Sequence, residues 1–338
     1  MNRSLFVWLL GAAMVSIQPA MAIVSNPSDQ RGTDSAAFAE EDPYEKPEHK
    51  EPSFWHHADA ATPAAQLAFA RQCEQAGHRR RAIKAYDALV HVWHSAPEAL
   101  QAQASMARLL EDDGQFEEAF AEYQYLIAYF SGQFDFLALL DHQYRCANAC
   151  RGTSGRTFAG LKIDSASGAR KMYERLLING PHWSKAPEIG LLIGSIRENE
   201  KEIPEAIAAY EQVLNRYPGT DAAHEAALRA ALCRYHFSVE HPRDEQSRIH
   251  AITALAAFLH AYPLDPQHDT LTGYRNAMDR AQMDACYDRA VFYDRNRHDR
   301  AAAIAAYHDF LRLYPDAPHA KEAAKRLERL ENATRLVR

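Results

Sequence analysis

The sequence predicts an all-α protein: a right-handed helical solenoid of about six helix pairs, closed by a C-terminal capping helix. Two observations predict this class. Six segments share one motif, in which a small residue is followed four positions later by a large one. In five of them an aromatic residue stands eleven positions after the small one, and in the last three a proline follows it directly. The small residues are Ala82, Ala119, Ala169, Ala206, Ala251 and Ala303.

The spacing of this motif indicates helix packing. Positions i, i+4 and i+11 lie on one face of a helix with 3.6 residues per turn. Alanine permits the close approach of a second helix, and the large side chains fill the space beside it. Each motif helix, here called B, therefore needs a partner, called A, and a segment rich in Ala, Leu, Met and Tyr precedes most of them. The predicted A helices cover residues 64–75, 97–112, 136–150, 186–198, 222–237 and 269–293.

The repeat length places the units near the tetratricopeptide class, whose period is about 34 residues. Gly77 and Gly114 each stand just after a predicted A helix, where glycine accepts the left-handed conformation that ends a helix. The units recur at longer and unequal intervals, so insertions are expected. We place them in a Gly/Ser-rich loop at 152–168, in a charged stretch at 238–246 and in a lengthened final A helix. A charged helix ending near Asn332 has the polar outer face of a terminal cap.

The first residues of the chain have the three parts of a secretory signal peptide. Arg3 supplies the positive charge, residues 5–15 are apolar, and Ala20-Met21-Ala22 is a small-x-small cleavage site. The segment is short for a transmembrane helix, which needs about 20 apolar residues. We expect cleavage of residues 1–22, a mature chain that begins at Ile23, and a periplasmic location. The alternative is an uncleaved membrane anchor.

The next segment, residues 23–62, is acidic, contains four prolines and has few aliphatic residues. Such a composition buries too little apolar surface to offset the entropy of ordering, so it predicts a flexible tether. The repeats are expected to occupy residues 63–333. Phe54 and Trp55, near the end of the tether, are expected to dock on the first repeat or, alternatively, to bind a partner.

Charge and motif content bear on the class of function. The formal net charge is −7 and no face is rich in Lys and Arg, so nucleic acid is not an expected partner. The sequence contains no Gly-rich phosphate loop, HExxH or GxSxG motif. We therefore expect no catalytic residues and no cofactor, and a surface that binds proteins instead.

Histidine and cysteine residues were considered as metal ligands. His142, Cys146 and Cys150 lie at i, i+4 and i+8 on one helix face, but residues eight apart are separated by about 12 Å along the axis and cannot reach one ion. His91 and His94 form another pair, expected at the surface or in a groove. No metal site is predicted. The number of cysteines is odd, and although a disulfide between Cys233 and Cys286 is possible, small buried core residues are the favoured interpretation.

The C-terminal third resembles a known family. It contains an Arg-Asp-Glu-Gln stretch, a helix ending in Tyr-Pro, a long helix ending in Phe-Tyr, an Ala-Ala-Ile segment and a last Tyr-Pro-Asp. In that order, these are residues 243–246, 251–263, 292–293, 302–304 and 314–316. They are similar to the tetratricopeptide subunit of the outer-membrane β-barrel assembly machinery, BamD, best over residues 240–330.

The resemblance implies a periplasmic scaffold that contacts the barrel-inserting outer-membrane protein and receives unfolded outer-membrane proteins. In the family an arginine of the long last-repeat helix contacts another subunit, and Arg280 is the nearest match. We expect Arg275 and Arg280 to bind an acidic surface of a protein partner.

Two departures from the family leave a second interpretation open. The family is lipid-anchored through a cysteine directly after the signal peptide, whereas here Ile23 follows Ala22 and the first cysteine is Cys73. The family also has five repeats, where six are predicted here. Membrane association is thus expected through protein contacts. The alternative function is a tetratricopeptide adaptor that coordinates cell-wall synthesis or another envelope complex.

Overall fold

The computed structural model describes residues 46–53, 55–152, 157–158, 161–162 and 165–335. These residues belong to one compact unit, Pro43–Arg338. The predicted signal peptide, the first part of the predicted tether and Phe54 lie outside the described residues.

Helices α1 to α13 follow one another along the described chain. Their bounds are α1 (Pro63–Gln75), α2 (Arg79–Val92), α3 (Pro97–Asp112), α4 (Phe116–Tyr129), α5 (Phe136–Gly152), α6 (Ser165–Asn179), α7 (Ala186–Asn199), α8 (Ile203–Arg216), α9 (Asp221–Glu240), α10 (Glu245–Ala261), α11 (His268–Val291), α12 (Arg300–Leu313) and α13 (Ala320–Arg335). Each helix packs mainly on its neighbours in chain order, which is the contact pattern of a solenoid. The predicted all-α class is confirmed, and α13 is the expected C-terminal helix.

The repeated motif forms the contact between the two helices of each pair. All six small residues are completely buried, and the large residue four positions later is at most 3% exposed in every unit. Burying a side chain of that size stabilises the fold by about 1.5–3 kcal/mol. The aromatic eleven positions on is the residue that ends the B helix, in the five units that have it. These residues are Trp93, Phe130, Tyr217, Tyr262 and Tyr314.

Glycine forms the predicted turns in the first two pairs. Gly77 has φ +78° and Gly114 has φ +79°, a left-handed conformation that costs a residue with a Cβ atom free energy. The side chains of Thr62, Thr220 and Asp244 accept hydrogen bonds from the first turns of α1, α9 and α10. These caps supply acceptors for backbone N–H groups that have no partner within the helix.

The pair α7–α8 is packed more closely than alanine allows. A Cβ atom added to Gly194 would lie 2.4 Å from Cε1 of Tyr210, and one added to Gly190 would lie 2.6 Å from Cγ2 of Val213. Both distances are shorter than carbon atoms can approach. The aromatic residue of the motif therefore rests directly on the backbone of α7.

The three predicted insertions take different forms. The loop at 152–168 contains a short antiparallel pair, β1 (Thr157–Phe158) and β2 (Leu161–Lys162), and α6 already begins at Ser165. The charged stretch at 238–246 belongs mostly to the ends of α9 and α10. The last A helix is long, as predicted, and continues into a π-helical turn over Phe292–Asn296.

All five cysteines are free thiols; Cys286 is half-buried and the other four are buried. Burial raises the pKa of the Cys146 and Cys233 thiols to about 12, so both are protonated at neutral pH. Within the described ranges, none of the helices combines the length and apolar character needed to cross a membrane.

Candidate protein-binding surfaces

A tyrosine–acid hydrogen bond ties the two helices of several pairs together. The motif tyrosine of the B helix donates its hydroxyl hydrogen to a carboxylate of the A helix 12 residues earlier at 2.7–2.8 Å, and in the last unit to one 13 residues earlier at 3.3 Å. The pairs are Tyr86–Glu74, Tyr123–Glu111, Tyr210–Glu198 and Tyr307–Asp294. Burial, with the neighbouring carboxylate second, raises the pKa of Tyr86 to about 12. These hydrogen bonds join the A and B helices of their units.

His142 takes part in this layer. Its Nδ1 lies 2.7 Å from Oε2 of Glu111, the same oxygen that accepts the hydrogen bond of Tyr123. Burial would raise the pKa of Glu111, but the hydrogen bonds from His142, Arg145 and Tyr123 outweigh it and lower the pKa. Below this histidine, Cys146 is buried against the same helix pair. Cys146 and Cys150 are therefore core residues, whereas the His142 side chain is 32% exposed and belongs to the hydrogen-bonded layer.

Helix α11 carries the two arginines predicted to bind a partner, and the structure places them on different sides. Arg275 forms an ion pair with Asp279, at 3.5 Å between Nε and Oδ2. Arg280 is exposed and, within the described part of the chain, has no ion pair. Five positions along a helix correspond to a rotation of about 140°, so one flat partner surface does not meet both equally.

The exposed stripe of α11 follows an i, i+4 spacing. Asn276, Arg280, Asp284 and Asp288 are all exposed, so Arg280 is the single cation of this stripe. Arg289, which the sequence places nearby, is occupied: its Nη2 donates hydrogen bonds to Glu245 at 2.8 and 2.9 Å.

The Arg-Asp-Glu-Gln stretch that resembles the family has a structural role here. Arg248 is 6% exposed, and its Nε donates a hydrogen bond to Gln282 of α11 at 2.7 Å. Gln282 in turn donates to Glu245 at 2.8 Å. Asp244 caps the start of α10. This polar clamp between α10 and α11 was not predicted from the sequence, because its members lie more than 30 residues apart.

A second clamp closes the C-terminal end. Arg326 of α13 donates two hydrogen bonds to Asp294, at 2.6 and 2.8 Å, and the Asp294 side chain is only 3% exposed. The hydrogen bonds and charge of Arg326 hold the pKa of Asp294 below its usual range. Because Asp294 lies in the π-helical turn, that turn fixes the capping helix on the last repeat.

The first two repeats carry a different feature: an extended segment of the chain itself, residues 46–53, lies across α2 and α4. Its backbone is held by side chains of the repeats. Tyr125 Oη accepts a hydrogen bond from the Lys50 N–H at 3.1 Å, and Tyr129 donates one to the Pro47 carbonyl at 2.6 Å. The Lys46 ammonium lies 4.0 Å from the centre of the Tyr129 ring, within cation–π range.

The side chain of Lys50 anchors this segment. Its ammonium group donates to Glu122 at 2.7 Å, to Asp87 at 3.1 Å and to Gln103 at 3.4 Å. These three acceptors satisfy all three N–H groups, which offsets the cost of a side chain that is 13% exposed. We call Asp87, Gln103 and Glu122 the lysine pocket.

The contact with the first repeat was predicted at Phe54 and Trp55, of which Phe54 lies outside the described residues. Trp55 is 84% exposed, and the described contacts run through Lys50 and its neighbours instead. Among the described residues, His91 of α2 meets His56 across this face, with ring centres 3.7 Å apart.

Comparison with known proteins places the C-terminal part of the chain. Residues 194–335 match the family model YfiO, described as an outer membrane lipoprotein. No curated protein sequence matches the chain. Solved structures with some likeness include a MamA protein (15% identity, 60% of this chain and 92% of that one, TM-score 0.30). Others are the C-terminal part of a TPR repeat-containing protein from Cytophaga hutchinsonii (15%, 78% and 88%, 0.31) and pilF from Pseudomonas aeruginosa (14%, 78% and 97%, 0.27).

The family match covers the same region as the motifs found in the sequence, from the Arg-Asp-Glu-Gln stretch to the last Tyr-Pro-Asp. It also covers both polar clamps and the exposed stripe of α11. From residue 194 to residue 335, the chain is similar to the YfiO (BamD) family of outer membrane lipoproteins.

Proposed function

We propose that this protein is a non-catalytic, protein-binding scaffold of the periplasm that takes part in the assembly and insertion of outer-membrane β-barrel proteins. The observation that carries the proposal is the family match over residues 194–335. A solenoid supports it, because stacked helix pairs present extended surfaces to protein partners. The proposed partners are a barrel-inserting outer-membrane protein and unfolded outer-membrane proteins.

The proposed route to the periplasm is cleavage of the signal peptide after Ala22. Since Ile23 stands where the family has its lipid-accepting cysteine, the mature chain carries no acyl group and reaches the membrane through protein contacts. Intact-mass measurement of the exported protein tests this. The expected mass is that of a chain beginning at Ile23 with no lipid. A Met1 form retained in the inner membrane contradicts it.

The proposed interface is the exposed stripe of α11 with Arg280 as its cation, and Arg275, on another side of the helix, is the second arginine proposed to contact the partner. Arg280→Glu is expected to weaken co-purification with the barrel-inserting partner without changing the melting curve, because Arg280 makes no ion pair in the described part of the chain. Arg80→Glu, an equally exposed arginine on α2, is the matched control. Binding that survives charge reversal of both Arg275 and Arg280 would place the interface elsewhere.

A second function is favoured by one specific observation, the absence of a cysteine after the signal peptide. An adaptor that coordinates cell-wall synthesis needs no lipid anchor. Affinity purification of the native protein from membranes, followed by mass spectrometry, separates the two. Recovery of a barrel-inserting protein supports assembly, and recovery of glycan synthases supports the adaptor.

A further inference from the structure

Three side chains with metal-binding atoms meet where the N-terminal segment crosses α2. Nε2 of His56 lies 3.3 Å from Oδ2 of Asp87, and Nε2 of His91 lies 3.5 Å from Oδ1 of the same carboxylate. One ligand atom from each residue lies within 4.8 Å of the other two. A tetrahedral ion with bonds of about 2.0–2.1 Å holds its ligand atoms about 3.3–3.4 Å apart. The separations on this face are close to that requirement.

The second nitrogen of each ring is already engaged. Nδ1 of His91 lies 2.7 Å from the carbonyl oxygen of Glu51, so it carries the hydrogen and leaves the lone pair on Nε2. Nδ1 of His56 lies 2.9 Å from Oγ of Ser53. Metal-binding histidines are held in this way, with one ring nitrogen fixed by an outer hydrogen bond and the other directed at the ion. The two rings are nearly parallel, at 8°, and both present Nε2 toward Asp87.

We propose that His56, Asp87 and His91 form a binding site for a divalent transition-metal ion of the zinc class. Two imidazoles and one carboxylate are a donor set that suits Zn²⁺, and a fourth position is left for water. The two histidines lie near different oxygens of Asp87, His56 near Oδ2 and His91 near Oδ1, and Lys50 also approaches Oδ1. In the proposed site the ion binds Oδ2, His91 shifts toward it, and Oδ1 keeps the ion pair with Lys50. The outward-facing position of the cluster gives the ion access from solvent, since all three residues are half-buried.

The consequence of metal binding is mechanical. His56 lies three residues after the segment 46–53 and before α1, whereas Asp87 and His91 belong to α2. An ion shared between them fastens the segment to the first repeat, next to the lysine pocket. Metal binding therefore stabilises the docked position of residues 46–53.

The experiment titrates the whole metal-free chain with Zn²⁺ by calorimetry at neutral pH, and with Co²⁺ by visible spectroscopy. One equivalent is expected to bind. His91→Ala and His56→Ala are each expected to weaken binding by more than about tenfold, since loss of even an outer-shell group costs 10–100-fold. His260→Ala, at an exposed histidine of α10, is the matched control and leaves the affinity unchanged.

A second readout tests the fastening directly. Tryptic cleavage after Lys50 requires the segment to leave the repeats, so Zn²⁺ is expected to slow it in the wild type and not in His91→Ala. Because His91→Ala also removes the hydrogen bond to the Glu51 carbonyl, the effect of Zn²⁺ on each variant is compared with the same variant without metal. The proposal is overturned if the double variant His56→Ala/His91→Ala binds Zn²⁺ as the wild type does. It is also overturned if the Co²⁺ complex shows the strong near-ultraviolet band of thiolate ligands, which would place the ion on cysteine.

Discussion

The first two repeats and the last repeat share one packing motif and differ in what they do with their outer surfaces. In the first two, the chain covers the α2–α4 face with its own residues 46–53 and fills the lysine pocket. In the last, a buried hydrogen bond from Arg248 to Gln282 joins α10 to α11, an ion pair from Arg326 to Asp294 joins α13 to the π-helical turn, and the outer stripe of α11 is left to solvent. The motif determines only the contact between A and B helices. Surfaces outside that contact are set by other residues, which is how one repeat supports different tasks.

The largest effect on stability is expected from glycine substitutions, because the glycines of α7 are closely packed and Gly273 of α11 is not. Gly194→Ala places a methyl group 2.4 Å from the Tyr210 ring, and the resulting overpacking should destabilise the protein by about 3 kcal/mol. Gly273→Ala on α11 is the matched control: nothing lies within 4 Å of its Cβ, so the better helix propensity of alanine should stabilise by up to about 1 kcal/mol. Urea unfolding of both variants measures the difference. Equal effects of the two substitutions on stability would show that α7 and α8 move apart to accommodate the added methyl group.

Overpacking can also be tested at the motif itself. Ala206→Leu inserts a large side chain at a completely buried position facing α7. We expect a loss of about 1–3 kcal/mol, measured as a lower thermal midpoint. An unchanged midpoint would contradict the assignment of the stripe to the A–B contact.

The C-terminal clamp should show itself as a dependence of stability on pH. The folded pKa of Asp294 is lowered by Arg326, so its contribution is present above the unfolded pKa of about 4 and is lost as the pH falls below it. Asp294→Asn should cost about 2 kcal/mol near neutral pH and reduce the loss of stability on acidification. Denaturant titrations at neutral and acidic pH test this, with the exposed Asp288→Asn as the control. If the free energy of unfolding of Asp294→Asn fell with pH as steeply as that of the wild type, other carboxyl groups would be responsible for the pH dependence.

The smallest effect is expected in the N-terminal repeats, because docking of the segment is local. Lys50→Gln removes the charge from the lysine pocket and leaves Asp87 and Glu122 facing one another. The free energy needed to detach the segment from the repeats should then fall by about 1 kcal/mol. The global melting temperature should change little. Hydrogen exchange at residues 46–53 measures the opening, and Lys84→Gln, at an exposed lysine of α2, is the control. Unaltered exchange would transfer the anchoring role to the backbone contacts with Tyr125 and Tyr129.

The sequence contained the information for the local parts of this fold. Alanine and tyrosine at i and i+4 predicted the A–B contact, and Gly77 predicted a left-handed turn, because both depend on neighbours within one or two helical turns. The lysine pocket was missed, since Lys50 meets Tyr125 across 75 residues and stands in an acidic stretch that carries no periodic signal. The His56–Asp87–His91 cluster was missed for the same reason. His91 and His94 are neighbours in sequence, whereas His56, the second histidine of the cluster, lies outside α2.

One signal in the sequence was available and unused. The acid that pairs with the motif tyrosine stands 12 residues before it in three units and 13 before it in the last. The extra residue lies in a segment that forms a π-helical turn, Phe292–Asn296. A single inserted residue in a helix is accommodated by such a turn. Alignment of the units on the tyrosine and the acid together would have predicted it.

The segment that covers α2 and α4, residues 46–53, is joined to the start of α1 by a short linker, residues 54–62. Short linkers give a tethered ligand an effective concentration in the millimolar range. A free peptide with a lysine and the same backbone contacts therefore competes at the lysine pocket only when its own concentration exceeds that local concentration. Cutting the chain within residues 57–62 turns the same contact into a bimolecular one, and the cut segment then dissociates on dilution.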